Sequence, residues 1–410
     1  MRTVVLHEGG LGDLILVEPL LATLRAQHPE ERVELLCRAD VAGLPTLFER
    51  APDVIRPFPF NPYLWSGPSD ILAGLVRDYL ATLGDLPVRR FVSASLRATP
   101  LSEILAAALA PVDGAIFGDP HAIANTTAGV LLEKLGIGPP PTIRRLAERT
   151  GEHELERYRR LAGTEAVRLP QLRRLGETAV TRSLAVFPIG GVAIKRWPID
   201  RLVAAAATIA AERQASVVVI GAEHDRSELD AIAAHEGFSA PPEVLAGGPG
   251  DLVAVATRIA GAIGFVGVDT GLAHLATAYG VPGVTVYGGG HWPAYAPWRA
   301  TTAAVLAPIP CFGCNWECAF DFAYCLAGVD ARSAVRAFAE AELGGREAAP
   351  RIEVDAYTTQ EREIFARSAR VHHASESDRA ARLRVITRLD ATLHEYATKL
   401  SEAVAGAPRL

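Results

Sequence analysis

Short, uninterrupted apolar runs alternate with helix-like segments along most of this chain, and that alternation limits it to a few folds. Residues 183–187, 216–220, 262–268 and 284–287 each read as a strand apolar on both faces. Such strands belong to a parallel sheet covered by helices on both sides. Helices are expected between them at 199–213, 252–260 and 271–279. The first half repeats the pattern, with strands at 3–7, 33–37 and 90–94 and helices at 13–27 and 101–109. This is the signature of βαβ units, and two such regions in 410 residues predict two domains.

Between 136 and 182 the pattern changes. Pro139-Pro140-Pro141 interrupts it and a charged stretch follows over 144–160, which reads as the connection between domains. The predicted organisation is an N-terminal Rossmann-like domain with its linker over 1–180, a C-terminal Rossmann-like domain over 181–330, and a helical extension over 331–410. In the extension, Ile386, Leu389, Leu393, Tyr396, Leu400 and Ala403 form a heptad seam. The seam either docks on its own domain or pairs with a second copy to make a homo-oligomer; its length, below three to four heptads, favours docking.

Hydrophobic residues make up 49% of the chain and charged residues 21%, as in a globular protein with a sizeable core. The formal charge is −6, which argues against nucleic acid as a partner, since that grip needs clustered Lys and Arg. No run of about 18 apolar residues is present, so no membrane span is expected. The N-terminus reads directly as a strand with no signal-peptide pattern, and a cytoplasmic protein is the expectation.

The strongest motif is Val268-Asp269-Thr270-Gly271-Leu272-Ala273-His274, a strand running through a short polar turn into a helix. Open α/β sheets bind ligands at the carboxyl ends of their strands. The first amides of a helix have no intrahelical partner and suit a diphosphate. Gly271 allows close approach and the Thr270 hydroxyl adds a donor. Equally, Asp269 is a good cap and His274 a packed residue. Lys195-Arg196-Trp197-Pro198 follows another strand and the Gly190-Gly191 pair, which places a cation beside the same edge in a chain poor in lysine. Glu223, after a third strand, is placed to accept from ribose hydroxyls. In the first half, Gly9-Gly10-Leu11-Gly12-Asp13 is a poor dinucleotide fingerprint. It reads either as a glycine-lined turn with Asp13 as general base or as a plain helix cap.

Cys311, Cys314, Cys318 and Cys325 crowd into fifteen residues. In a reducing compartment such a cluster favours a structural metal, zinc or iron, over disulfides. Packed thiols are the alternative, because the spacing is not that of paired CxxC knuckles.

Together these motifs resemble the heptosyltransferase family, glycosyltransferase family nine. Gly12-Asp13 with Glu18-Pro19-Leu20, Lys195-Arg196-Trp197-Pro198, Gly221-Ala222-Glu223, and Asp269-Thr270-Gly271-x-x-His274-Leu275-Ala276 before Gly280-Val281-Pro282 carry the resemblance, over roughly residues 1 to 330. It implies a GT-B fold, with two Rossmann-like domains facing across a cleft. It implies inverting transfer that requires no metal or other cofactor, from a nucleotide sugar such as ADP-heptose. By position, Asp13 is then the base, and Lys195 with the Thr270-Gly271 amides holds the diphosphate. Glu223 holds the ribose, Asp269 contacts the donor, and His274 lies in the same site. The aromatic stretch 290–298 and the segment after Gly328 depart from the family's lipopolysaccharide-building members. The acceptor therefore stays open between lipopolysaccharide or another lipid-linked glycan, a small glycan and a protein. Two other classes are weighed. A nucleotide-sugar epimerase or dehydrogenase needs a well-formed Gly-x-Gly-x-x-Gly, which is missing. A non-catalytic nucleotide-sugar-binding or scaffold relative would bind nucleotide and release none.

Overall fold

The computed structural model of the protein describes residues 1–60, 68–95, 99–118, 127–141, 143–147, 149, 152–165, 168–173, 181–290, 292–307, 316, 323–343 and the backbone of 351–354. The chain forms two compact units, Met1–Arg173 and Arg174–Leu410.

The first unit holds β1 (Arg2–Leu6), β2 (Arg32–Arg38), β3 (Val54–Phe58), β4 (Val88–Ser93), β5 (Asp113–Phe117) and β6 (Arg144–Leu146) in the order β3-β2-β1-β4-β5-β6, all parallel. Its helices are α1 (Leu11–Gln27), α2 (Ser69–Thr82), α3 (Pro100–Leu109), α4 (Thr127–Leu135) and α5 (Glu154–Ala162). The segment read as an inter-domain connection is partly built into this unit: β6 pairs with β5, and α5 packs on α1. Its polar composition hid this. Arg157 and Glu154 are buried as an ion pair at 3.0 Å, and the guanidinium lies 4.1 Å from the centre of the Phe117 ring. A second buried pair ties the sheet's other half, where Glu34 accepts from Arg2 at 3.0 Å and from Arg56 at 2.6 Å.

The second unit contains β7 (Thr181–Phe187), β8 (Ser216–Ala222), β9 (Glu243–Gly247), β10 (Ala262–Val268), β11 (Gly283–Tyr287), β12 (Thr302–Leu306) and β13 (Arg351–Val354) in the parallel order β13-β12-β11-β10-β7-β8-β9. The connecting helices are α6 (Ile199–Arg213), α7 (Arg226–Ala233), α8 (Leu252–Ala260), α9 (Gly271–Ala278), α10 (Tyr324–Ala327) and α11 (Ala331–Leu343). Glycines in its strands make room for close neighbours. A Cβ at Gly267 would stand 2.5 Å from the carbonyl oxygen of Phe187 on β7, and one at Gly264 would meet the ring of Phe338 at 2.5 Å. Phe338 belongs to α11, which packs on β11 and β12, and β13 extends the sheet beside β12. The start of the segment read as a helical extension thus belongs to the second sheet. The heptad seam of residues 386–403 lies outside the described residues.

Two parallel-sheet α/β units of this kind are the fold expected from the sequence. Each strand order reverses once, at β1/β4 in the first sheet and at β7/β10 in the second. Crevices at such reversals, outside the strands' carboxyl ends, are where open α/β sheets hold ligands. Among the described residues, no helix is long and apolar enough to cross a membrane.

Candidate functional site

At the β7/β10 reversal the chain builds a charged centre around Asp269. The loop after β7 turns through Gly190, where a Cβ would stand 2.7 Å from the Lys195 Cβ and 3.1 Å from the Asp269 carbonyl. That close approach brings Lys195 Nζ to donate to Asp269 Oδ2 at 2.7 Å, with both side chains largely buried. On the other carboxylate oxygen, His274 Nε2 lies 3.9 Å from Asp269 Oδ1. His274, buried on the first turns of α9, stacks on Trp298 at 5.3 Å with 6° between the rings, and Tyr295 meets it edge-on at 6.3 Å. Beneath the lysine, Nζ lies 4.7 Å from the centre of the Trp316 ring.

Thr270 opens α9 without a side-chain cap bond. The first backbone bonds of the helix run from Ala273 and His274 to the Thr270 carbonyl, so the Gly271 and Leu272 amides stand ahead of the ladder, where an anion is stabilised. In the Lys195 loop each residue has a separate job. Arg196 forms a bidentate pair with Glu228 at 2.7 Å, and Trp197 is buried with its indole N–H donating to the Val329 carbonyl at 3.1 Å. Lys195 is left to serve the site. Glu223 sits at the end of β8, beside β7, with its exposed carboxylate 3.2 Å from Arg226. Lys195, Asp269, Thr270, Gly271 and His274 are therefore brought together, with Glu223 two strands along from β10.

Residues 153–320 match the family model described as glycosyltransferase family 9 (heptosyltransferase). This segment is therefore similar to the family 9 glycosyltransferases over about two fifths of the chain. It contains Lys195, Glu223 and the whole Asp269–His274 turn. No curated protein matches the sequence. Among solved structures, the chain is similar to E. coli ADP-heptose lps heptosyltransferase II (18% identity, TM-score 0.60, covering 84% of this chain and 99% of that one). It is similar to E. coli heptosyltransferase WaaC with ADP (21%, 0.60, 83% and 100%). It is also similar to a family 9 glycosyl transferase from Veillonella parvula DSM 2008 (18%, 0.55, 74% and 85%). These likenesses carry the two-domain α/β fold.

The matched segment does not reach Asp13, which lies at the β1/β4 reversal of the first unit. Asp13 is half-buried in the first turn of α1, next to Gly12, and its Oδ2 accepts the Gly10 N–H at 2.7 Å. It is thus a cap in structure whatever else it does. Sequence reading missed its surroundings. His7 is buried, with Nδ1 3.2 Å from the Ala94 carbonyl; since a carbonyl only accepts, Nδ1 carries the proton. Burial holds the His7 imidazole below its usual pKa, partly offset by Asp13. A Cβ at Gly9 would collide with both His7 and Asp13, which explains that glycine. Glu8 accepts the hydroxyls of Ser95 at 2.7 Å and Thr99 at 2.5 Å, and burial pushes its carboxyl up to about 7. Burial likewise pushes Glu154 up to about 8, with Arg157 pulling the other way. The signal available was His7-Glu8, two polar residues closing an apolar strand.

Of the proposed metal ligands, Cys311, Cys314 and Cys318 lie outside the described residues, and Cys325 is buried in the second core. In the first unit, His28, Glu30 and Glu31 stand close enough to share an ion, but Glu31 already accepts from Arg90 at 2.9 Å and from the Thr3 hydroxyl.

Proposed function

We propose that the protein is an inverting glycosyltransferase that moves a sugar from a nucleotide sugar, ADP-heptose foremost, to a hydroxyl of a glycan, lipid-linked or protein acceptor. The observation that carries this reading is the Lys195–Asp269 contact, made in front of the free amides of α9 at the reversal of the second sheet. A diphosphate placed there meets the Gly271 and Leu272 amides and the Lys195 ammonium together. Asp269 fixes the ammonium without a flexible search, and His274, itself stacked on Trp298, faces Asp269 from the other side. As the bond to the anomeric carbon breaks, its electron pair leaves with the diphosphate oxygen. The same amides and ammonium stabilise that charge. Glu223, along the same sheet edge, suits the two ribose hydroxyls. Asp13 of the first unit takes the proton that the acceptor hydroxyl loses as its oxygen bonds to the anomeric carbon. The residues named need no metal for this.

Support for an adenine nucleotide is the similarity to heptosyltransferase WaaC, solved with ADP and with ADP-2-deoxy-2-fluoro heptose. A thermal-shift series with ADP-, GDP-, UDP- and CMP-sugars tests the reading. Binding to the folded chain raises its stability by about 2.7 kcal/mol at a hundredfold excess over Kd, so ADP-heptose is expected to give the largest rise. No response to any of the four overturns the donor site. A response without nucleotide release, across lipid, glycan and protein acceptors, makes the chain a non-catalytic binder.

A further inference from the structure

Three glycines follow β11, and Trp316 lies close against the backbone of Gly288 and Gly290. A Cβ at Gly288 would stand 2.7 Å from Trp316 Cη2, and one at Gly290 would overlap its Cε2 and Nε1. No other residue type lets the ring lie so close. Its face carries the Lys195 ammonium, 4.7 Å from the ring centre, and the indole is half-buried. Its Nε1, although buried, has no hydrogen-bond partner among the described residues. A buried indole N–H normally finds one, as that of Trp197 does. Trp197 is a packing residue, whereas Trp316 is seated like part of a binding surface.

The strand order says what such a surface would hold. Along the sheet edge, Glu223 ends β8, the Lys195 loop follows β7, the Asp269 turn follows β10, and the three glycines follow β11. With neighbouring strands about 4.8 Å apart, β8 to β11 spans roughly 14 Å, the reach of an extended nucleotide sugar. A ligand with its ribose at Glu223 and its diphosphate at the reversal carries its sugar to the β11 side. There it meets an electron-rich aromatic face, to which the weakly positive C–H face of a pyranose is complementary.

We infer that Trp316 is the platform for the transferred sugar, its indole packed on the C–H face of the pyranose while Lys195 Nζ holds the phosphate next to it. This rests on the donor reading above. The full chain and its Trp316→Ala, Trp316→Phe and Gly290→Ala variants are titrated calorimetrically with ADP and with ADP-heptose. Trp316→Ala is expected to weaken ADP-heptose about tenfold and ADP by less than about twofold. Trp316→Phe, which keeps a ring, should keep most of the affinity. Gly290→Ala, which displaces the indole without removing it, should repeat the selective loss. Equal losses for both ligands place the ring under the nucleotide and overturn the inference, as does no loss for either. Wild-type protein that binds neither ligand removes the donor reading and the inference with it. Wild-type protein that binds both while the variants show no selectivity removes the inference alone.

Discussion

The two sheets reverse at equivalent places, yet they furnish those places differently. At β7/β10 the groups are a lysine, an aspartate and a histidine against aromatic rings, with helix amides at hand. At β1/β4 they are His7, Glu8 and Asp13, with Glu154 from α5 lying close enough to Asp13 to feel its charge. Under the function proposed above, one reversal serves an anion and the other a proton. The fold supplies a crevice twice, and the side chains at each decide what it can do.

The difference is broken most directly at Asp13. Asp13→Ala is expected to lower the rate of sugar transfer by about 10² to 10⁴, the range for a positioned general base, with ADP-heptose affinity unchanged. Because Asp13 also accepts the Gly10 amide, the alanine should cost about 1 kcal/mol of stability as well. Asp13→Asn keeps an acceptor for that amide but is no base. Full transfer by the asparagine variant, measured as nucleotide release with acceptor present, would return Asp13 to the role of a cap. On the other side of the comparison, Lys195→Ala should lower transfer by about 10² to 10³ and, unlike the Asp13 variants, weaken nucleotide binding too. A lysine variant that binds ADP normally would separate the charged centre from the phosphate.

How much of this could be read from the sequence differs between the two units for a physical reason. The second sheet's central strands are continuous Val, Ile and Ala runs, because both faces are covered, so β10 and α6 are found at their expected bounds. Its site follows strand ends, where polar residues interrupt apolar runs, and Lys195, Asp269 and His274 are visible for that reason. In the first unit, charged residues are buried as pairs. Arg157 with Glu154, and Glu34 with Arg2 and Arg56, look like surface until the partners are seen together. β6, three residues long and begun by two arginines, carries no strand signal. The aromatic stretch 290–298 stands out in the sequence, whereas Trp316 does not. Nothing in Trp316 itself says that Gly288 and Gly290 lie against it.

Glycines offer a smaller test of the same contrast. Gly267→Ala pushes a methyl against the Phe187 carbonyl, and Gly114→Ala pushes one against the Phe91 carbonyl, each at 2.5 Å. Both should destabilise by about 1–3 kcal/mol through overpacking. Only Gly267 joins the strands that carry Lys195 and Asp269. Its variant alone should also lose nucleotide affinity, by calorimetry on protein still folded. Equal losses of affinity in both would mean that general loosening, rather than the β7/β10 seam, sets the site.

The last test concerns stability alone, at Glu8. Burial raises its pKa from 4.5 to about 7, so between those values the folded chain keeps a proton that the unfolded chain has released. Protons favour the folded state there, and stability falls as pH rises through the window, with no further loss from this group above about pH 7. Glu154, raised to about 8, acts in the same sense. His7, with its pKa lowered, acts in the opposite one, losing stability as pH falls through its ordinary value of 6.5. The difference between Glu8→Gln and wild type isolates one group from the others. The glutamine cannot ionise, and its amide oxygen can still accept from Ser95 and Thr99. Its melting temperature relative to wild type should therefore rise between pH 4.5 and 7 and then level off. A difference that stays constant with pH would mean that Glu8 titrates normally, and the first reversal would then hold an ordinary ionised acid rather than a carboxyl kept protonated by its burial.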